Sequence, residues 1–206
     1  MTLISESCFV TGTDTGVGKT YVVSRLIAAL REKGVDAVGM KPICCGDRDD
    51  AESLHRASEG TVALNEINPV WFRTPAAPYT AAMIEGRVVD LALIRESFER
   101  LRASHQRIIV EGVGGWRVPI SRDYLVSDLA RDFGLRVVVV VANRLGAINH
   151  TLLTIESIRA NGLDCAGIIL NHVSPEQSDP ATVTNRGILE ELSGVPVLGE
   201  IGFAAE

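Results

Sequence analysis

The chain has 206 residues, 46% of them hydrophobic and 22% charged, with a formal net charge of −6. That composition supports a sizeable buried core, in one large α/β domain or two small ones. The acidic balance argues against a nucleic-acid-binding surface, and the longest apolar stretch, Val137 to Ala142, is far too short to span a bilayer.

No basic segment leads into an apolar one at the N-terminus, so no secretion signal is expected. Cysteines stand at 8, 44, 45 and 165, a spacing that matches no zinc pattern. Cys8 and Cys165 lie in strand-like runs, as small apolar residues would. A reduced, cytoplasmic chain with no membrane segment is the expectation.

The first strand-like run is Cys8–Thr11, followed by a loop rich in Gly and Thr. Val22, Val23, Leu26, Ile27 and Leu30 then fall on one face of a helix, and Gly34 after "REK" is a stop signal. A second strand is expected at Ala37–Met40. Thr61 to Ala82, with Pro69, Pro75 and Pro78, reads as a long ordered loop. Further strands are expected at Arg107–Val110, Val137–Ala142, Ala166–Leu170 and Val197–Gly199. Ile148, Leu152, Ile155 and Ile158 carry a helical period that Gly162 ends. Alternating strands and helices imply an α/β fold, a mostly parallel sheet with helices on both faces. With no repeat, low-complexity tract or clear linker, residues 1–206 read as a single α/β domain. Ligands of such sheets bind outside the carboxyl ends of the strands.

The loop "GTDTGVGKT" joins a strand to a helix and has the character of a phosphate-binding loop. Glycines allow backbone N–H groups to wrap a phosphate, and the helix N-terminus adds a positive dipole end. Lys19 supplies a full charge, and the Thr20 hydroxyl suits a Mg²⁺ ligand. Five residues, not the four of the strict pattern, separate Gly12 from Gly18. A Lys in the first turn of a helix faces the unfavourable end of the dipole, a conflict that an anionic ligand removes.

Glu111 follows the run Arg107–Val110, where nucleotide hydrolases carry an acid for the metal. Asp47, Asp49 and Asp50 are a further acidic source, of which one carboxylate facing Mg²⁺ is plausible and the others read as solvated surface. Lys41 closes the second strand and points toward the expected site, although spacing alone favours a surface lysine.

"VTGTDTGVGKT", "MKPICCG", "INPVWF" with "PAAPYTAA", "VEGVGGWRVPI" and "NRLGAINHTLLT" resemble dethiobiotin synthetase, in this order and at family-like spacing, from Phe9 to about Ile201. The resemblance implies a P-loop fold, a homodimer, and conversion of 7,8-diaminononanoate, CO₂ and MgATP to dethiobiotin, ADP and phosphate. It implies that the loop Thr13, Asp14, Thr15, Gly16, Val17, Gly18, Lys19 and Thr20 binds ATP. Thr15, Lys19 and Lys41 would be catalytic. Thr20, Asp50 and Glu111 would hold Mg²⁺, and Asn171 would read the adenine amino group. Lys41 and Cys45 would face the substrate. Gly146, Ala147, Ile148 and Asn149, which also read as a helix start with bare N–H groups, would meet the diamine's carboxylate from the neighbouring subunit.

The sequence departs from the family pattern at Gly16, where some members have an acid, at Cys45, where some have Ser, and at Gly202, where Pro is common. The implied reaction joins two anions, a carbamate and a γ-phosphate, so cations do the work and no His or Cys nucleophile is required. His150 and His172 are therefore read as a helix-start residue and a loop residue. The alternative is a deviant P-loop ATPase switch acting through protein partners. Such proteins carry a second Lys early in the loop, where this chain has Asp14.

Overall fold

The computed structural model of the protein describes residues 6–175 and 180–203. Its centre is a six-stranded sheet of β1 (Cys8–Gly12), β2 (Ala37–Met40), β5 (Arg107–Gly115), β8 (Arg136–Ala142), β9 (Cys165–Asn171) and β10 (Val197–Ile201). The order is β10-β9-β8-β1-β5-β2, and every pairing is parallel. Two small sheets flank it. β3 (Ile43–Cys45) pairs with β4 (Val70–Phe72) in parallel, and β6 (Pro119–Ser121) pairs antiparallel with β7 (Tyr124–Leu125).

Val137 to Val141 of β8 are all fully buried. Successive strand residues point to opposite faces, so both faces of the sheet are covered. The cover comes from α1 (Lys19–Arg31), α2 (Asp49–Ala57), α5 (Leu91–Ser104), α6 (Val126–Phe133), α7 (Ala147–Ala160) and α8 (Pro180–Ser193). The stripe Val22, Val23, Leu26, Ile27 and Leu30 is buried, as its spacing predicts.

Two expectations are corrected. Thr61 to Ala82 is not a loop: it holds α3 (Leu64–Ile67), β4 and the start of α4 (Pro78–Ile84). Pro78 occupies the first helical position, where its missing N–H is not needed. β4 exists because Ile43–Cys45 lies beside it, a pairing that local sequence does not reveal. The strand expected at Arg107–Val110 continues to Gly115, because Gly115 still pairs with Gly12 after a shift in register. Glu111 is therefore inside a strand, not after it.

Candidate functional site

The loop between β1 and α1 is tightly folded. A Cβ at Gly12 would lie 2.7 Å from Val17 Cγ2 and 2.9 Å from Asp14 O. Gly18 has φ +82, and a Cβ there would collide with Asn171 Nδ2. Both positions need glycine. Thr13 N–H donates to Val140 O, and Thr15 N–H donates to Asp14 Oδ1. Both bonds help to set the shape of the loop. Val17 turns its side chain into the core. Lys19 is nearly buried and reaches back so that its Nζ donates to Asp14 O at 3.0 Å. Burial lowers its pKa to about 8, with a further push from Lys41 against the pull of Glu111 and Asp50.

Strand register brings the next groups together. Met40 pairs with Val110, so Lys41 and Glu111 emerge side by side. Lys41 is buried, not a surface lysine. Its Nζ donates to Glu111 Oε1 at 2.5 Å and to Asp50 Oδ2 at 2.6 Å. Thr20 Oγ1 lies 2.6 Å from Asp50 Oδ1 and 2.9 Å from Glu111 Oε1. Burial opposes charge on Lys41, but the two carboxylates outweigh it and raise its pKa above the lysine range. Burial also opposes the Asp50 carboxylate, and Lys41 outweighs it, so that pKa is lowered.

Of the three acids in the loop and first turn, only Asp50 makes these contacts. Asp49 is exposed on α2, and Asp47 lies at the edge of the cleft. Glu111 Oε2 is buried with no hydrogen-bond partner. An orphaned carboxylate oxygen beside a hydroxyl and a second carboxylate is a donor set for a hard divalent cation. Among the described residues no group of three or more His, Cys, Asp or Glu could hold a metal. The set therefore fits a metal that takes its remaining ligands from phosphate and water.

These groups open onto a cleft of about 730 Å³. Its apolar wall includes Ile43, Pro75, Ala76, Val113 and Val118, residues that sequence reasoning did not assign to the site. Pro75 and Ala76 belong to the segment read as a loop, and Val113 to the unforeseen extension of β5. Cys45 lines the cleft half-buried, and burial pushes its thiol up to about 11. It is a protonated wall residue at neutral pH. Thr15 and Gly16 also line the cleft.

Gly146 caps α7, and Ala147, Ile148 and Asn149 form its first turn, as expected. They do not line this cleft. Asn171 ends β9, buried against the phosphate loop. Its Nδ2 donates to Val17 O at 2.9 Å, and its Oδ1 is buried and unpartnered. His172 Nε2 lies 2.7 Å from Glu200 Oε1, and His150 sits within α7; neither joins the cleft.

A family model described as an AAA domain matches residues 6–205. An ATP-dependent dethiobiotin synthetase BioD of Akkermansia muciniphila is 50% identical over 192 residues, covering 93% of this chain and 90% of that protein. The chain belongs to the dethiobiotin synthetase family. The member from Bacillus velezensis is 42% identical over 201 residues, covering 94% of this chain and 85% of its own length. Solved structures show the fold at much lower identity. A ParA family ATPase from Chlorobium tepidum is 12% identical, with a TM-score of 0.58 over 97% of this chain and 84% of that one. The MinC:MinD complex from Aquifex aeolicus gives 15% and 0.59 over 96% and 81%. The family's P-loop fold is thus the fold of this chain.

Proposed function

We propose that the protein is an ATP-dependent ligase of biotin biosynthesis that makes dethiobiotin from 7,8-diaminononanoate and CO₂. The observation that carries this reading is the convergence of Lys19, Lys41, Thr20, Asp50 and Glu111 at one end of a cleft whose other walls are apolar. A cation-rich end suits phosphate and carbamate. An apolar wall suits the alkyl chain of the diamine.

One amine attacks CO₂ and loses a proton, giving a carbamate. A carbamate oxygen attacks the γ-phosphorus and ADP leaves, giving a carbamic–phosphoric anhydride. The second amine attacks the carbonyl carbon and loses a proton, and phosphate leaves as the ring closes. Lys19 and Lys41 bring two anions together and stabilise the charge that develops between them, while Thr15 stands beside the phosphates. Mg²⁺, held by Thr20, Asp50 and Glu111, would neutralise phosphate oxygens. Cys45 needs no chemical role, since its thiol stays protonated.

The diamine's carboxylate needs a partner at the far end. Lys19 and Lys41 are the cations among the described residues lining the cleft, and both stand at the phosphate end. This supports a homodimer in which Gly146 to Asn149 of a second copy supply N–H groups to that carboxylate. Leu145, beside that turn, is 82% exposed, which suits an interface. No described helix is long and apolar enough to cross a membrane, and all four cysteines are free, which supports a cytoplasmic site of action.

The test is ADP release with ATP and Mg²⁺, with and without diaminononanoate and bicarbonate. Release that requires both supports the ligase. ADP release indifferent to the diamine would overturn that reading.

A further inference from the structure

Asn68, in the stretch "INPVWF", has no role in the chemistry above, yet it is 2% exposed and fully hydrogen-bonded. Its Nδ2 donates to Lys41 O at 2.8 Å and to Val70 O at 2.9 Å. Lys41 N–H in turn donates to Ile67 O at 2.9 Å. Both backbone polar groups of Lys41 are thus held by the Ile67–Asn68 turn. On the other side, Asn68 Oδ1 accepts from Arg48 Nε at 2.9 Å, and Asn68 O accepts from Arg48 NH2 at 3.0 Å. Arg48 is the residue that caps α2, and Asp50 lies in the first turn beyond it. The guanidinium also lies over the Trp71 ring, 5.6 Å from its centroid.

One side-chain amide therefore touches two segments that must be in register. One carries Lys41 and the other carries Asp50. We propose that Asn68 is a positioning residue, which fixes the Lys41 ammonium relative to the Asp50 carboxylate by clamping the backbone of one and, through Arg48, the helix start of the other. The proposal rests on the reading of Lys41 and Asp50 as site residues.

The chemistry at position 68 explains the residue type. Two donors face two carbonyls, and one acceptor faces an arginine. Asp could accept from Arg48 but would leave Lys41 O and Val70 O without their donor. Leu would fill the space and make none of the bonds. Gln would carry the amide one methylene too far. Pro69 disfavours helical backbone at Asn68, and the φ of −128 and ψ of 82 there lie outside the helical region.

Lys19 and Thr20 are placed by the β1–α1 loop and the start of α1, which Asn68 does not touch, although Thr20 Oγ1 also donates to Asp50 Oδ1. Disturbing Asn68 should therefore spare ATP binding and harm the step that uses Lys41 and Asp50. The experiment compares Asn68→Leu, Arg48→Ala and the double variant in diamine-dependent ADP release, in melting temperature, and in Mn²⁺ affinity with a non-hydrolysable ATP analogue bound. Expected are a kcat lowered tenfold or more in Asn68→Leu, a KM for ATP within twofold of the parent, and Mn²⁺ affinity at least threefold weaker. Arg48→Ala should give a smaller loss of the same kind. The double variant should lose less than the sum of the two single losses, since the two share the Arg48–Asn68 bond while Arg48 also donates to Asn65 Oδ1 and Leu64 O.

An unchanged kcat in folded Asn68→Leu, a KM that rises in step with the fall in kcat, or additive losses would overturn the proposal. If Asn68→Leu does not fold, Arg48→Ala decides alone by the same kcat and Mn²⁺ criteria. If the parent shows no diamine-dependent release, the functional reading fails, and the Mn²⁺ comparison still tests the clamp.

Discussion

Lys41 Nζ lies 2.5 Å from Glu111 Oε1, and both side chains are buried. The ammonium sits between Glu111 and Asp50, so a divalent cation bound by those acids has to share them with a lysine. Breaking a buried pair by removing one partner leaves the other charge uncompensated, which costs about 3–5 kcal/mol. Asp50 would still hold Lys41 in Glu111→Gln, so the stability loss should fall at the lower end of that range. Urea unfolding measures it. The same variant should need more Mg²⁺ for half-maximal activity, because a hard cation prefers a charged oxygen. A wild-type Mg²⁺ curve would remove Glu111 from the metal set.

Lys41→Met is expected to separate the two roles of the lysine. Turnover should be lost, since a cation at the reacting anions is gone. At the same time, two carboxylates are left beside each other without their ammonium. A divalent metal should then stabilise the variant more than the parent, because binding to the folded state raises stability by mass action. Thermal unfolding with and without Mg²⁺ reads this directly. An equal or smaller rise in melting temperature for Lys41→Met would mean that lysine and metal do not compete.

The choice within the acidic loop is equally specific. Asp50→Asn should raise the Mg²⁺ requirement several-fold, while Asp49→Asn should leave it unchanged, because Asp50 alone of the two reaches Thr20 and Lys41. A Mg²⁺ titration that singles out Asp49 would reverse the assignment.

How far the sequence reveals this site depends on the range of each interaction. Lys19 and Thr20 are readable because strand, loop and helix are contiguous. The buried face of α1 is readable because Val22 to Leu30 repeat at helical spacing. Asp50 is not separable from Asp47 and Asp49 without knowing where α2 starts and which side of its first turn faces Thr20. Lys41 looks like a surface residue until the Met40–Val110 register sets it against Glu111. β3, β4, β6 and β7 have two or three residues each, too few to show a period. Asn68 has no local signal at all, since every one of its side-chain partners except Val70 is distant in sequence.

The buried thiols predict the alkaline limit of stability. Burial raises Cys8 and Cys44 to about 12 and Cys165 to about 11, from an ordinary value of 9.0. Below pH 9 the thiol is protonated in both states and contributes nothing to the pH dependence. Between pH 9 and 11 the unfolded chain loses thiol protons that the folded chain keeps, so stability falls as pH rises. The loss is about 1.4 kcal/mol per thiol at pH 10. Cys8→Ala should lower stability at pH 8 and flatten its decline between pH 9 and 10.5. Urea midpoints across that range provide the check, and an unchanged slope would mean that Cys8 ionises normally.

Asn171 supplies the remaining prediction, on the nucleotide base. Its Nδ2 is engaged by Val17 O, which fixes which way the amide faces and leaves Oδ1 as a buried acceptor in need of a donor. The amino group of adenine is such a donor, and so is that of cytosine, whereas guanine presents an oxygen at the corresponding position. An unpaired buried acceptor facing another acceptor is penalised, so ATP should be preferred to GTP, with CTP between them. The preference should stay modest, roughly 1–3 kcal/mol, since one polar group reads the base. Gly202, close to the end of the neighbouring strand β10, is exposed, and among the described residues a Cβ there would meet nothing within 4 Å. Asn171→Ala should bring the kcat/KM values for ATP and GTP closer together while kcat at saturating ATP changes little, because the proposed phosphate site is the β1–α1 loop. Equal use of ATP and GTP by the unmodified protein would remove Asn171 as the group that reads the base.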